Sequence, residues 1–152
     1  MSVSMSRIPN YHEIGIEQWN RILKRNLGIF NSFLYELTNE HSELEKLILN
    51  SIKRFSRALT TTNLHQRIVE IFTILESLLV LDSNSPILEN LTKYCSKLIF
   101  KKPEHRLDVI DLLKKMYIIR SKYVHHATES DFEIDNLRKL QIVLHSLLCV
   151  LI

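Results

Sequence analysis

Glycine and proline are scarce in this chain, which has two glycines and three prolines among 152 residues. Folds rich in strands and tight turns need more of both, because glycine and proline supply the backbone angles that turns require. The composition therefore favours helices joined by short loops. Two isolated glycines also cannot form a glycine-rich loop that binds phosphate groups.

Cysteine is scarce as well, and long apolar runs are absent. Cys95 and Cys149 belong to no paired-cysteine metal motif, and we predict two buried thiols in a reducing compartment. No stretch approaches the ~20 apolar residues that span a membrane. The first ten residues are polar and do not resemble an export signal. These absences predict a cytoplasmic protein that does not enter a membrane.

Apolar residues recur at helical spacing along most of the chain. Residues 1–15 lack this period and are predicted to be a flexible arm, while residues 16–152 are predicted to form one helical domain. The pattern indicates a single all-α bundle of five to six helices. The predicted helices cover about 16–37, 42–59, 64–81, 86–100, 103–119 and 134–152, with inward positions that include Leu98 and Leu107.

Two of these segments have informative polar residues. Ser42 and Glu45 form a predicted capping box at the start of the second helix. Residues 64–81 are apolar on nearly all sides, as in a helix packed on several neighbours, yet they contain Glu76. We expect Glu76 to have a basic partner, because burying an unpaired carboxylate is costly.

Charge and metal ligands give weaker signals. The net charge of +3 permits an anionic partner without requiring one. The basic side of residues 42–59 is predicted to be a solvated face rather than a nucleic-acid site. None of the seven histidines pairs at i, i+4 beside a third ligand, and the acids are scattered. We therefore predict neither a metal site nor a cofactor.

Residues 120–126, which follow the fifth predicted helix, contain arginine, serine and histidine. Arg120, Ser121 and His125 are residue types that together bind phosphate and transfer protons near neutral pH. Five residues place two side chains about 140° apart on a straight helix. A shared site therefore needs a helix break near Ser121–Val124, a second copy of the chain, or both. Alternatively, these residues only stabilise a helix end through its carbonyl groups and dipole.

The same segment resembles a known family. Arg120 to His125 fits the R-x4-6-H motif of the HEPN superfamily (higher eukaryotes and prokaryotes nucleotide-binding). The context Tyr117 to His125, Y-x-x-R-S-x-x-V-H, and the upstream L-E-S-L-L at residues 75–79 are similar to the ApeA-like HEPN branch. The resemblance covers roughly residues 45 to 150.

The resemblance implies a helical bundle that forms a homodimer and cleaves RNA without a metal, leaving a 2′,3′-cyclic phosphate. It implies that Arg120 binds the scissile phosphate and that His125 acts as general base or acid. Ser121 and Tyr123 are expected supporting residues, and Glu76 is expected to orient a base such as Arg120. His126 stands where this branch usually has glycine, and it either crowds the cleft or adds a proton carrier.

The expected setting is a toxin–antitoxin or antiphage defence system, with RNA as substrate and an antitoxin or a nucleotidyltransferase as partner. A second interpretation remains open. Some HEPN domains keep the fold but do not cleave, and this chain would then be an RNA-binding, nucleotide-binding or dimerisation module, or a fragment of a larger defence protein.

Overall fold

The structure of the protein, a computed structural model, describes residues 42–80 and 86–152 together with Gly28 and Ser32. Residues 42–80 and 86–152 form five α-helices and one short 3-10 helix at Pro103–His105, Gly28 and Ser32 are helical, and none of the described residues lies in a β-strand, which confirms the all-α prediction. The predicted arm, 1–15, and most of the predicted first helix lie outside the described residues. The five helices are α1 (Glu43–Thr60), α2 (Leu64–Leu79), α3 (Ile87–Ile99), α4 (Arg106–His126) and α5 (Ile134–Leu151).

The predicted capping box is present at the start of α1. Ser42 Oγ accepts a hydrogen bond from the Glu45 N–H at 3.2 Å, and Glu45 Oε2 accepts one from the Ser42 N–H at 2.7 Å. Two backbone donors that the helix leaves unpaired are thereby satisfied. The basic side of this helix is largely solvated, as predicted, although Arg54 reaches Glu70 on α2 at 3.2 Å.

Helix α2 is the central helix, and it contacts each of the other four. It begins after Asn63, whose side-chain oxygen accepts from the Gln66 N–H at 2.8 Å. Its apolar residues point to several neighbours at once, as the sequence indicated. Five of them are fully inaccessible to solvent: Ile68, Ile71, Phe72, Ile74 and Leu75.

Helices α3 and α4 form a hairpin whose connection is fastened by Arg106. Its Nε donates to the Phe100 carbonyl at 2.9 Å, and its Nη2 donates to the Lys101 carbonyl at 2.8 Å. These bonds satisfy carbonyl groups at the end of α3, so the chain reverses without glycine. The hairpin places α4 against α2, α3 and α5.

Two predicted core residues of this hairpin are exposed. Leu98 is 43% exposed and Leu107 is 63% exposed. At about 100° per residue, Leu107 lies on the side of α4 opposite the buried Val109, Leu113 and Met116. The inward assignments of Leu98 and Leu107 were therefore wrong.

Helix α5 closes the bundle, with Leu137, Leu140, Leu144 and Leu147 buried as predicted. The prediction for the cysteines was half wrong, because Cys95 on α3 is buried but Cys149 on α5 is exposed. None of the helices in the described ranges is long and apolar enough to cross a membrane.

Candidate functional site

Arg120 of α4 and Glu76 of α2 form an ion pair where the two helices pack. Arg120 Nη2 lies 3.3 Å from Glu76 Oε1 and 3.5 Å from Oε2, the second with hydrogen-bond geometry. The two side chains are only 17% and 21% exposed. The carboxylate inside the apolar α2 therefore has the basic partner that its burial requires.

The hydrogen-bonding capacity of this pair is only partly used. Arg120 Nε and Glu76 Oε1 are buried and make no hydrogen bond within the described part of the chain. The Arg120 guanidinium stands over the Tyr117 ring, with Cζ 5.4 Å from the ring centroid. Tyr117 packs edge-on against the buried Phe72 at 5.4 Å. Arg120 is thus held from two sides, while its buried Nε donor has no partner among the described residues.

Helix α4 continues without a break through the whole candidate segment. Its helical hydrogen bonding extends to His126, so the chain has no helix break near Ser121–Val124, which was one of the two ways to form a shared site. The segment contains neither glycine nor proline, and its single β-branched residue, Val124, is tolerated in a helix. The helix therefore continues past its predicted end at residue 119, and of the two ways to form a shared site only a second copy of the chain is left.

The end of α4 lies at Ala127, which adopts a left-handed conformation with φ of 50°. The Ala127 N–H donates to the Tyr123 carbonyl at 3.1 Å. His126, which stands where glycine was expected from the resemblance, remains helical and exposed. The reversal that ends the helix therefore falls one residue after His126, at a position where the side chain has a steric cost.

His125 lies on the exposed side of α4, whereas Arg120 faces α2. On the unbroken helix the two side chains point about 140° apart and are separated by about 7.5 Å along the axis. Ser121 is half-buried and lies one turn before His125. A single copy of the chain therefore does not bring the Arg120 and His125 side chains to one point through α4 alone.

Tyr123 has a packing role. Its ring stacks on His65 of α2, with centroids 5.2 Å apart and an interplanar angle of 24°. His65 Nε2 lies 3.0 Å from the Ser130 carbonyl, and the His65 ring meets Phe132 edge-on at 5.2 Å. These contacts anchor the loop that follows α4. No sequence pattern indicated a role for His65, because its partners lie about sixty residues away at no regular spacing.

No trio of His, Cys, Asp or Glu side chains within residues 42–80 and 86–152 is arranged to hold a metal ion. The comparisons with known proteins add no constraint, since no family model, curated protein or solved structure matches this chain. The candidate site therefore consists of Arg120, Glu76 and Tyr117 where α2 and α4 pack. His125 is exposed near the end of α4.

Proposed function

We propose that this protein is a metal-independent endoribonuclease of the HEPN type. The observation that carries the proposal is the fixed Arg120 side chain, held by Glu76 and Tyr117 at the end of the helix that also presents His125. An arginine positions a phosphodiester through its N–H groups, and a histidine exchanges a proton near neutral pH. Both functions are needed to cleave RNA without a metal.

The proposed reaction uses the ribose 2′-hydroxyl as nucleophile. His125 accepts the 2′-hydroxyl proton as the oxygen attacks phosphorus, or protonates the departing 5′-oxygen. Arg120 stabilises the negative charge that develops on the non-bridging oxygens. The P–O5′ bond breaks, and the products are a 2′,3′-cyclic phosphate and a free 5′-hydroxyl.

The orientation of α4 makes a second copy part of this proposal. Because Arg120 and His125 diverge on one helix, the Arg120 of one chain is proposed to act with the His125 of another. Two apolar residues near His125, Ile118 and Val124, are exposed and would provide buried area for a two-fold contact. Glu76 then orients Arg120 and does not exchange protons with the substrate.

One observation favours the non-catalytic alternative. Arg120 is already neutralised by Glu76 in a largely buried pair, so a phosphate has to compete with that carboxylate. If the pair is purely structural, the domain binds RNA or another copy without cleaving. The two interpretations differ in whether RNA is cut, which makes them separable by one assay.

The test is cleavage of a mixed-sequence RNA by purified protein in EDTA, beside Arg120→Ala, Arg120→Lys and His125→Ala. We expect cleavage by the native protein, 2′,3′-cyclic phosphate ends, and loss of at least about a hundredfold in each variant, which is the usual size of a general acid–base contribution. Thermal melts identify any variant whose activity is lost through unfolding. Cleavage that requires magnesium, or that survives in folded Arg120→Ala and His125→Ala, contradicts the proposal.

Mixing the two inactive variants tests the shared site. A dimer of Arg120→Ala with His125→Ala has one intact Arg–His combination if each site takes one residue from each chain. Random pairing should then restore about a quarter of the native activity. If each site is built within one chain, the mixture stays inactive.

A further inference from the structure

Two adjoining grooves lie along the seam between α3 and α4. One, of about 430 Å³, is lined by residues that include Lys93, Lys97 and Arg106. The other, of about 700 Å³, is lined by residues that include Lys114 and Tyr117. Glu89, Thr92 and Ile110 line both grooves, so they form one continuous path, which we term the α3–α4 seam.

The seam is bordered by an uninterrupted basic stretch. Lys93, Lys97, Lys101 and Lys102 are all exposed, and the sequence has no aspartate or glutamate between Glu89 and Glu104. Lys114 adds an exposed positive charge from the α4 side. Of the described residues that line the two grooves, Glu89 is the one acid. Such a charge distribution attracts a polyanion.

An aromatic ring stands among these lysines. Tyr94 is exposed on α3, and Lys93 Nζ lies 5.4 Å from the centroid of its ring. Exposed aromatic faces beside lysines are typical of surfaces that bind single-stranded nucleic acid, because unpaired bases stack on the rings while lysines neutralise phosphates.

The seam leads to the candidate catalytic arginine. Tyr117 lines the larger of the two grooves, and the Arg120 guanidinium stands over the Tyr117 ring. From Arg106 to Arg120 the helix rises about 21 Å, which spans several nucleotides of an extended strand. A strand in the seam would therefore reach the Tyr117 ring, over which the Arg120 guanidinium stands.

We propose that the α3–α4 seam binds single-stranded RNA and guides the strand to Arg120. This inference rests on the proposed ribonuclease function, since it names the surface that holds the substrate. Lys93, Lys97 and Lys114 neutralise phosphates along the path, and Tyr94 stacks on an unpaired base at its edge. None of these residues takes part in the chemical step.

The test measures binding apart from cleavage. The probe is a short fluorescein-labelled RNA of mixed sequence, in which 2′-O-methyl groups remove the attacking hydroxyl. Its affinity is measured by fluorescence anisotropy over a range of salt concentrations. The test variant is the seam triple, Lys93→Gln, Lys97→Gln and Lys114→Gln, and the matched control is Lys53→Gln, Lys115→Gln and Lys139→Gln. Both triples remove three exposed lysines.

We expect the seam triple to reduce the slope of log affinity against log salt by about two, since each phosphate contact on a single strand contributes about 0.7. The control triple should leave this slope unchanged. Tyr94→Ala should weaken binding at every salt concentration but leave the slope unchanged. Equal effects of the two triples, or no binding of the probe by the native protein, overturn the inference.

Cleavage measured in the same variants separates the two proposals. If the seam binds RNA but the ribonuclease proposal is wrong, the seam triple binds the probe more weakly than the control triple does, and no variant cuts RNA. If RNA is cut and both triples cut equally well at low substrate concentration, the ribonuclease proposal stands and the seam is rejected.

Discussion

The ion pair between Arg120 and Glu76 connects the candidate site to the core. Glu76 belongs to the central helix α2, and the Tyr117 ring beneath Arg120 rests on the fully buried Phe72. The arginine is therefore fixed by residues that the bundle itself positions. That arrangement makes Glu76 both a structural residue and a positioning residue in the proposed reaction.

We predict that Glu76→Gln lowers the free energy of unfolding by about 1–3 kcal/mol, because it leaves Arg120 charged, largely buried and without its counterion. Chemical denaturation at neutral pH measures the change. The matched control is Glu70→Gln. Glu70 also pairs with an arginine, Arg54, but the two side chains are 32% and 42% exposed, so we expect about 0–1 kcal/mol. Equal decreases in the free energy of unfolding of the two variants would show that the Arg120–Glu76 pair stabilises the fold no more than the exposed Arg54–Glu70 pair.

At the scale of a helix, the sequence predicted some features well and others poorly. The start of α1 and the inward face of α5 followed from a capping box and a regular apolar period. The course of α4 did not. Its apolar residues occur on several sides, so the period did not reveal that Leu107 is exposed. The helix continues to His126 because residues 120–126 contain no helix breaker. The spacing of arginine and histidine in the motif does not indicate where the helix ends.

The left-handed end of α4 gives a prediction of its own. Ala127→Gly should raise the free energy of unfolding by about 0.5–1 kcal/mol, because glycine adopts a φ of 50° without the steric cost that alanine has there. Denaturant unfolding measures it. Lys115→Gly, at an exposed position within the same helix, should instead lower that free energy by about 1 kcal/mol. Two changes of the same sign would contradict the assigned conformation of Ala127.

For the whole molecule, the core is assembled around α2, and the sequence identified that helix because it is apolar on nearly every side. Contacts between distant helices were harder to predict. The Arg120–Glu76 pair was expected because a buried acid needs a base, whereas the His65–Tyr123 stack had no comparable requirement. The seam between α3 and α4 was not predicted either, since it depends on how two helices pack.

The two cysteines report on opening of the whole bundle. Cys95 is inaccessible, and burial raises the pKa of its thiol to about 12, whereas Cys149 is exposed. We predict that a thiol reagent modifies one thiol in the native protein and two in denaturant. Partial burial also raises the pKa of Cys149, so its modification should accelerate as pH rises above neutral and the reactive thiolate accumulates.

Timed titration of free thiols between pH 7 and pH 9.5 checks this prediction. Cys149→Ser should leave no thiol that reacts with the native protein. Modification of Cys95 at the rate of Cys149 under native conditions would mean that α3 separates from the bundle far more readily than its packing indicates.

The unbroken course of α4 has a consequence for dosage. If Arg120 and His125 act only across two chains, one copy has the parts of a nuclease but no complete site. Below the dissociation constant of the dimer, the number of sites would grow with the square of the protein concentration. A twofold rise in synthesis would then raise activity about fourfold. Because α4 is straight, ribonuclease activity would be very low at low protein concentration and would rise steeply as the protein accumulates.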